Sequence, residues 1–581
     1  MIKKSMRILS IDLSKKYSRI EEREDLTSYI GGVALATQLL KENILYNQSP
    51  LVEMQPIIFT KGPLNTIFPA VTKVCSMFKS PLTGELGESY AGLRMALAMG
   101  MAGVDGIIIV GKAEVPVYIQ IEGEKVRIRD AKPLWHLNTD ETTRLLHDQQ
   151  GHRGLRSILT IGEGGINQIK FANVTVDTYR HFGRLGLGCL MGSKNLKAVV
   201  IEGKNNQPIS CLKEYKNIYR EIYKKVTETD IMEKYHGLGT SINLQALNDM
   251  KALPAYNFRK SYAEEAGNIS GENFADKRLI KKLACSGCPI GCIHIALLRK
   301  KFDDTHEYEA TTLSYDHELI YSLGAMIGVW SLDGVLELIE TVELLGLDAM
   351  STGVLLAWIT EAFEKAIVSP EETIEIPKFG DVESYKKIIR HIVKKSNSFY
   401  ESVAEGTHFA SLKYGGGDFA MVLGKNEVAG YHTGYGNIIG QAVGARHSHL
   451  DNAGYAIDQE NKEVTHRDMV KKLIKEEMDR NLLNSLVICL FARKVYDDNT
   501  VIRALKSLGY HMDETILQKI GRETFVEKMR LKEKMGFDLK EISFPNRFFE
   551  TPSSNVKLER NEAERILDVY IEEVKKLLSH T

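Results

Sequence analysis

The chain has 581 residues, 43% hydrophobic and 26% charged. That is an ordinary composition for a globular protein of roughly two to four domains. Lys plus Arg total 75 against 76 Asp plus Glu, a net charge of −1, so no basic surplus points to nucleic acid or an anionic membrane. No run of about 18 apolar residues marks a membrane span. The basic start, Met1 to Arg7, leads into an apolar piece that Asp12 interrupts, too short for a signal peptide. Seven cysteines, an odd count, argue against a disulfide framework and for a reducing cytoplasm.

Residues 1–207 read as a β-rich domain. Short β-branched runs bounded by turn residues predict strands at Pro56–Thr60, Gly106–Val110, Val117–Ile121, Ser157–Ile161 and Ala198–Ile201. Helices are expected near Ala34–Lys41 and Gly92–Ala102. Residues 208–410 turn mainly helical, with helical spacing over Glu214–Val226, Leu247–Met250, Lys277–Leu283 and Glu318–Ile327. Ser331 reads as the N-cap of a helix ending at Gly346, and another helix covers Gly353–Ala366. Residues 411–581 begin with a Gly/His-rich stretch from 430 to 454 and end in an amphipathic helix over Glu559–Leu578. No internal repeat is visible.

Cys285, Cys288 and Cys292 place three thiols within eight residues, with Gly287, Pro289 and Gly291 letting the backbone wrap closely. A [4Fe–4S] cluster needs a fourth thiolate, for which Cys489 is the candidate; a four-sulfur zinc site is the alternative. Cys75, Cys189 and Cys211 are read as ordinary thiols. Three glycine-bearing stretches, Lys79–Ser89, Gly183–Lys197 and Gly346–Gly353, allow backbone N–H groups to approach an anion, although none matches a phosphate-loop or dinucleotide fingerprint. Together with the cysteines they suggest a large phosphate-bearing cofactor.

The ordered set Ile30-Gly31-Gly32, Lys61-Gly62-Pro63-Leu64, Lys79–Gly84, Gly183-Arg184, Met191–Lys197, the cysteine motif, Glu307-Tyr308-Glu309, Gly346-Leu347-Asp348 and Cys489 resembles the tungsten-dependent aldehyde:ferredoxin oxidoreductase family over nearly the whole length. The resemblance implies an α+β fold: a β-rich base at 1–207 under two mainly helical domains, 208–410 with the cysteine motif and 411–581 with the fourth cysteine. It implies tungsten or molybdenum held by a bis-pterin, Mg2+ bridging the pterin phosphates, and one [4Fe–4S] cluster on Cys285, Cys288, Cys292 and Cys489. Cofactor contacts would come from Lys73, Ser89, Ala91, Gly92, Leu93, Arg184, Leu185, Gly186, Gly188, Asp348, Asn484 and Ile488. Glu309 and His449 would be catalytic, with Tyr308 lining the pocket.

The same resemblance implies a small aldehyde as substrate, ferredoxin or an iron–sulfur subunit as electron partner, and a homodimer. Several positions depart from the family pattern. Val33 stands where arginine is usual, Lys73 replaces an arginine, and Gly444–Asp451 replaces the usual segment before the histidine. A lysine keeps the charge but loses the planar fork. Two other functions stay open: another low-potential reaction such as carboxylate or aryl-coenzyme A reduction, and a zinc-stabilised non-catalytic scaffold. His447 and His449 together form a further candidate metal pair, and His432 is a further candidate near the pocket.

Overall fold

A computed structural model describes residues 5–149, 155–206, 209–301, 307–460 and 464–579. The expected boundary at 207/208 falls outside the described residues. The first region holds twelve strands: β1 (Met6–Asp12), β2 (Tyr17–Arg23), β3 (Ile57–Thr60), β4 (Val74–Lys79), β5 (Leu86–Ala91), β6 (Gly106–Val110), β7 (Val117–Glu122), β8 (Lys125–Asp130), β9 (Arg156–Thr160), β10 (Val174–Val176), β11 (Arg180–Phe182) and β12 (Leu196–Glu202). They form two six-stranded sheets, ordered β2-β1-β6-β3-β4-β5 and β8-β7-β12-β9-β10-β11.

The two orders are the same. In each sheet the first and last strands of the half pair parallel, β1 with β6 and β7 with β12, and the other pairs are antiparallel. A helix follows the first hairpin in both halves, at Gly32–Asn43 and Thr139–Gln149, and another precedes the last strand, at Met95–Ala102 and Leu187–Ser193. The chain therefore does contain an internal repeat, of topology. Sequence inspection misses it because a repeated fold needs only matching hydrophobic alternation, not matching residues.

That alternation decides the packing. Leu9, Ile11, Ile57, Phe59, Ile107 and Ile109 point inward to meet Ile119, Ile121, Leu159 and Ile201 of the other sheet. The opposite face of the first sheet, through Ile8, Ile58, Met77 and Ile108, covers the helix Gly32–Asn43. Each buried side chain of this kind contributes about 1.5–3 kcal/mol.

One departure follows in the helical part. Leu279–Leu283, expected to be helical, is instead an edge strand, β13, beside β14 (Ile293–Lys301) and β15 (Tyr308–Tyr315). The helix before it, Gly271–Lys277, is capped by Ser270, whose Oγ accepts from Asn273 N–H, and it ends where the strand begins. Ser331 and Gly346 cap Leu332–Leu345 as expected, Gly346 at φ 70°. The hydrophobic core that spans residue 410 runs on to Val574 and also takes in Leu82, Ile169, Phe171, Ala172 and Cys189 of the base. No single described helix is long and apolar enough to cross a membrane.

Candidate active site

The segments Asn484–Cys489 and Leu345–Asp348 lie across the base as two seams, the first and the second. A Cβ on Gly162 would sit 2.3 Å from Leu345 O, and one on Gly62 would sit 2.6 Å from Leu486 O. Asp348 N–H donates to Phe171 O at 3.0 Å, and Cys489 N–H donates to Ala70 O at 3.0 Å. Gly32 lies under Asn484, its missing Cβ 2.1 Å from Asn484 O, and Ile488 is buried in the core behind. Glycine is required where backbone approaches backbone this closely.

Beside the first seam the cysteines converge. Leu93 N–H donates to Cys285 Sγ at 3.2 Å, and a Cβ on Gly92 would lie 2.7 Å from that sulfur and 3.4 Å from Lys73 Nζ. Ser89 and Ala91, on β5, lead into this loop. Burial, Cys489 and Cys285 push the Cys288 thiol up, and burial does the same to Cys292 against the pull of Arg180 and Lys73. Four thiols held together in an interior repel one another when ionised, so the pocket favours a cationic occupant. Among the described residues no three His, Cys, Asp or Glu side chains gather as a single ion would need. His447 faces Glu85 and Lys532 whereas His449 faces Glu318, and the two do not form a metal pair. Arg180, which the sequence reading missed, also faces Cys292, Cys285 and Cys489 and lies 3.8 Å from Asp316.

Beside the second seam stands Arg184. Its Nε donates to Asp348 at 3.3 Å and its Nη2 to Asn426 Oδ1 at 2.7 Å, while its buried Nη1 has no partner. Leu185 sits at φ 70° and accepts from Ser80 Oγ; Gly186 and Gly188 press against Lys170 O and Asn173 O, each 2.1 Å from where a Cβ would be. An unpartnered, partly buried guanidinium donor in a glycine cradle fits an anionic group. The other basic residues of the glycine stretches do not serve that purpose. Lys79 donates to Tyr46 O and Gln48 O, Lys194 to Glu53 O, and Lys197 to Leu137 O and Ile161 O. Burial lowers Lys194 to about 8 and Lys197 to about 7.

His449 opens a short helix capped by Ser448 and is 3% exposed. Its Nε2 lies 3.3 Å from Glu318 Oε1 and its buried Nδ1 has no partner. The Tyr431 ring lies beside it, tilted by 32° with centroids 4.9 Å apart, and Tyr431 Oη donates to the same carboxylate at 3.4 Å. Burial raises the Glu318 carboxyl, but the His449 hydrogen bond and His317 pull it below the usual range. His317, fully buried, is lowered to about 4.

Glu309 and Tyr308 are elsewhere. They begin β15 where it pairs with the last residues of β14, Lys301 and Lys300, and both are exposed, Tyr308 by 53%, with Arg299 over its ring at 4.7 Å. The structure does not bring Glu309 to His449; Glu318 occupies that place. The letters Glu307-Tyr308-Glu309 drew the assignment away from Glu318. The available signal was Asp316, an N-cap that puts Glu318 in the first turn of a buried helix. His432 also lies apart, between Phe258 and Phe548 with Nε2 on Thr551 O, and His447 faces Glu85 and Lys532.

A duplicated sheet base, a thiol nest on one seam and an anion cradle on the other, with a buried histidine–carboxylate pair, define a cofactor-dependent oxidoreductase. The chain belongs to the aldehyde ferredoxin oxidoreductase family: residues 8–203 match the model of its N-terminal domain and residues 217–576 that of its domains 2 and 3. It is 30% identical over 569 residues to the tungsten-containing aldehyde ferredoxin oxidoreductase of Pyrococcus furiosus, spanning 94% of this chain and 91% of that protein. It is also 30% identical over 428 residues to an aliphatic sulfonate oxidoreductase, WOR-like subunit, of the same organism, 70% of this chain and 67% of that one. Its fold matches the active-site complex BamBC of benzoyl coenzyme A reductase bound to 1,5-dienoyl-CoA. That match has a TM-score of 0.83 at 19% identity and covers 98% of this chain and 94% of that one.

Proposed function

We propose that this enzyme oxidises an aldehyde to a carboxylate at a tungsten (or molybdenum) bis-pterin and passes the electrons through a [4Fe–4S] cluster to ferredoxin or a similar acceptor in the cytoplasm. The observation that carries the reading is the pairing of buried His449 with Glu318 in a chain whose two seams present thiols and an anion cradle. Cys285, Cys288, Cys292 and Cys489 would hold the cluster. Lys73, Gly92 and Leu93 on one side, and Arg184, Leu185, Gly186, Gly188 and Asp348 on the other, would hold the pterins, with Mg2+ balancing their phosphates. The bound group supplies the two-electron acceptor that no side chain can provide.

The chain's own residues would handle protons. Aldehyde and water give carboxylate, two electrons and three protons. With its Nε2–H given to Glu318, His449 in its doubly protonated form would donate the free Nδ1–H to a carbonyl oxygen and stabilise negative charge as it develops there. Glu318, fixed by His449 and Tyr431, would take the proton of the attacking water, because the hydrogen bond keeps it ionised. Glu318→Gln and His449→Ala should each lower turnover about a hundred-fold with iron, tungsten and pterin retained. Near-normal turnover in both would reject the assignment. The benzoyl-CoA reductase fold match favours one second reading, reduction of the ring of an aryl-coenzyme A; an aryl-CoA reduced faster than any aldehyde is oxidised would establish it.

A further inference from the structure

Between the anion cradle and His449 lies one residue that touches both sides. Asn426, 1% exposed, sits in the tight hairpin Val422–Glu427. Its Oδ1 accepts from Arg184 Nη2 at 2.7 Å. Its Nδ2 donates to Arg446 O at 3.0 Å and to His447 O at 3.3 Å. Those two carbonyls belong to the turn that leads into Ser448 and the helix of His449. His447 holds φ 53°, a left-handed conformation that histidine adopts more readily than most non-glycine residues.

We infer that Asn426 is a positioning residue that ties the orientation of the His449 segment to the anion held by Arg184. The amide suits this task. It presents an acceptor to a cation and two donors to carbonyls, and an ionised or hydroxyl side chain cannot satisfy all three. The rest of the segment is held independently of the cofactor: Asp451 accepts from Arg446 N and Nε and from Ser448 N, and Glu477 accepts from Ala445 N. Asn426 is therefore the contact through which filling the cradle reaches the turn. Next to it, Glu427 O accepts from the same Nη2 at 2.5 Å, so the guanidinium fixes the hairpin at two points.

This inference rests on the proposal that His449 handles protons. Its first test does not depend on that chemistry. Holoenzyme carrying Asn426→Asp keeps the acceptor for Arg184 but sets an oxygen against both carbonyls. Amide hydrogen exchange over residues 444–452 should rise about ten-fold or more while β12 and the metal and pterin content stay at parent values. With an aldehyde, kcat should fall about ten- to hundred-fold with a smaller change in KM, because the histidine is misplaced and not removed. The acid limb of the pH–rate profile should also move. Asn426→Ser, too short to span both sides, should behave alike and substitutes if the aspartate variant fails to fold. Unchanged exchange at 444–452 in loaded enzyme overturns the inference, as does a loss of kcat that tracks lost cofactor. Raised exchange in an enzyme with no aldehyde activity leaves the link standing and rejects the proposed reaction instead.

Discussion

Cys489 and Asp348 stand at matching points of the two halves. Each lies two residues after a positive φ, 51° at Val487 and 70° at Gly346, and each donates its N–H to the loop between the third and fourth strands of its half. The seams differ in what they deliver. On the first half the backbone presents a thiol beside Cys285, Cys288 and Cys292; on the second it presents a carboxylate to Arg184. One duplicated scaffold thus offers soft thiols on one side and hydrogen-bonded charged groups on the other. The loops ahead of the last helices keep the same geometry, with Leu93 at φ 62° and Leu185 at 70°.

The largest test breaks this contrast outright. Cys489→Ser should abolish or convert the cluster, seen as lost iron, whereas Asp348→Asn should leave iron in place and weaken pterin retention. Equal iron loss in both would show that the halves are not separately specialised. The next test asks whether the seams are equivalent mechanically. Gly62→Ala and Gly162→Ala each push a methyl into a facing backbone carbonyl and should destabilise by about 3 kcal/mol or more, read from denaturant unfolding. A tolerant Gly162 would mark the second seam as loosely packed.

A smaller effect sharpens the catalytic assignment. Glu309→Gln, on the exposed hairpin, should leave turnover near the parent value while Glu318→Gln does not. The smallest lies outside both halves. Burial raises the Asp458 carboxyl to about 6 although three donors from Thr433, Gly436 and Asn437 oppose it. A carboxyl raised on folding binds its proton more tightly in the native state, so stability is greatest below its ordinary value of 3.8. It should fall by about 2 kcal/mol as pH rises from 4 through 6, and Asp458→Asn should flatten that slope in thermal melts.

The apolar strands β3, β6, β7, β9 and β12 were legible because buried β-branched runs have little other use. The edge strands β2, β8 and β13 were not: Tyr17–Arg23, Lys125–Asp130 and Leu279–Leu283 carry the charges of solvated edges, and only their neighbours make them strands. The cysteine set was legible from spacing, since three thiols in eight residues have few purposes. The site carboxylate was not, because Glu318 is selected by the fold of the helix that carries it, while Glu309 shares only letters with a motif. The role of Asn426 was beyond reach, as its partners lie 242, 20 and 21 residues away.

The central claim is that the two seams hold a pterin-bound metal and an iron–sulfur cluster in one chain. Metal and pterin analysis of protein purified without oxygen tests it most directly. About four irons per chain are expected, together with tungsten or molybdenum and a fluorescent oxidised pterin. Zinc with no iron and no releasable pterin, in protein that is folded and active, would contradict it.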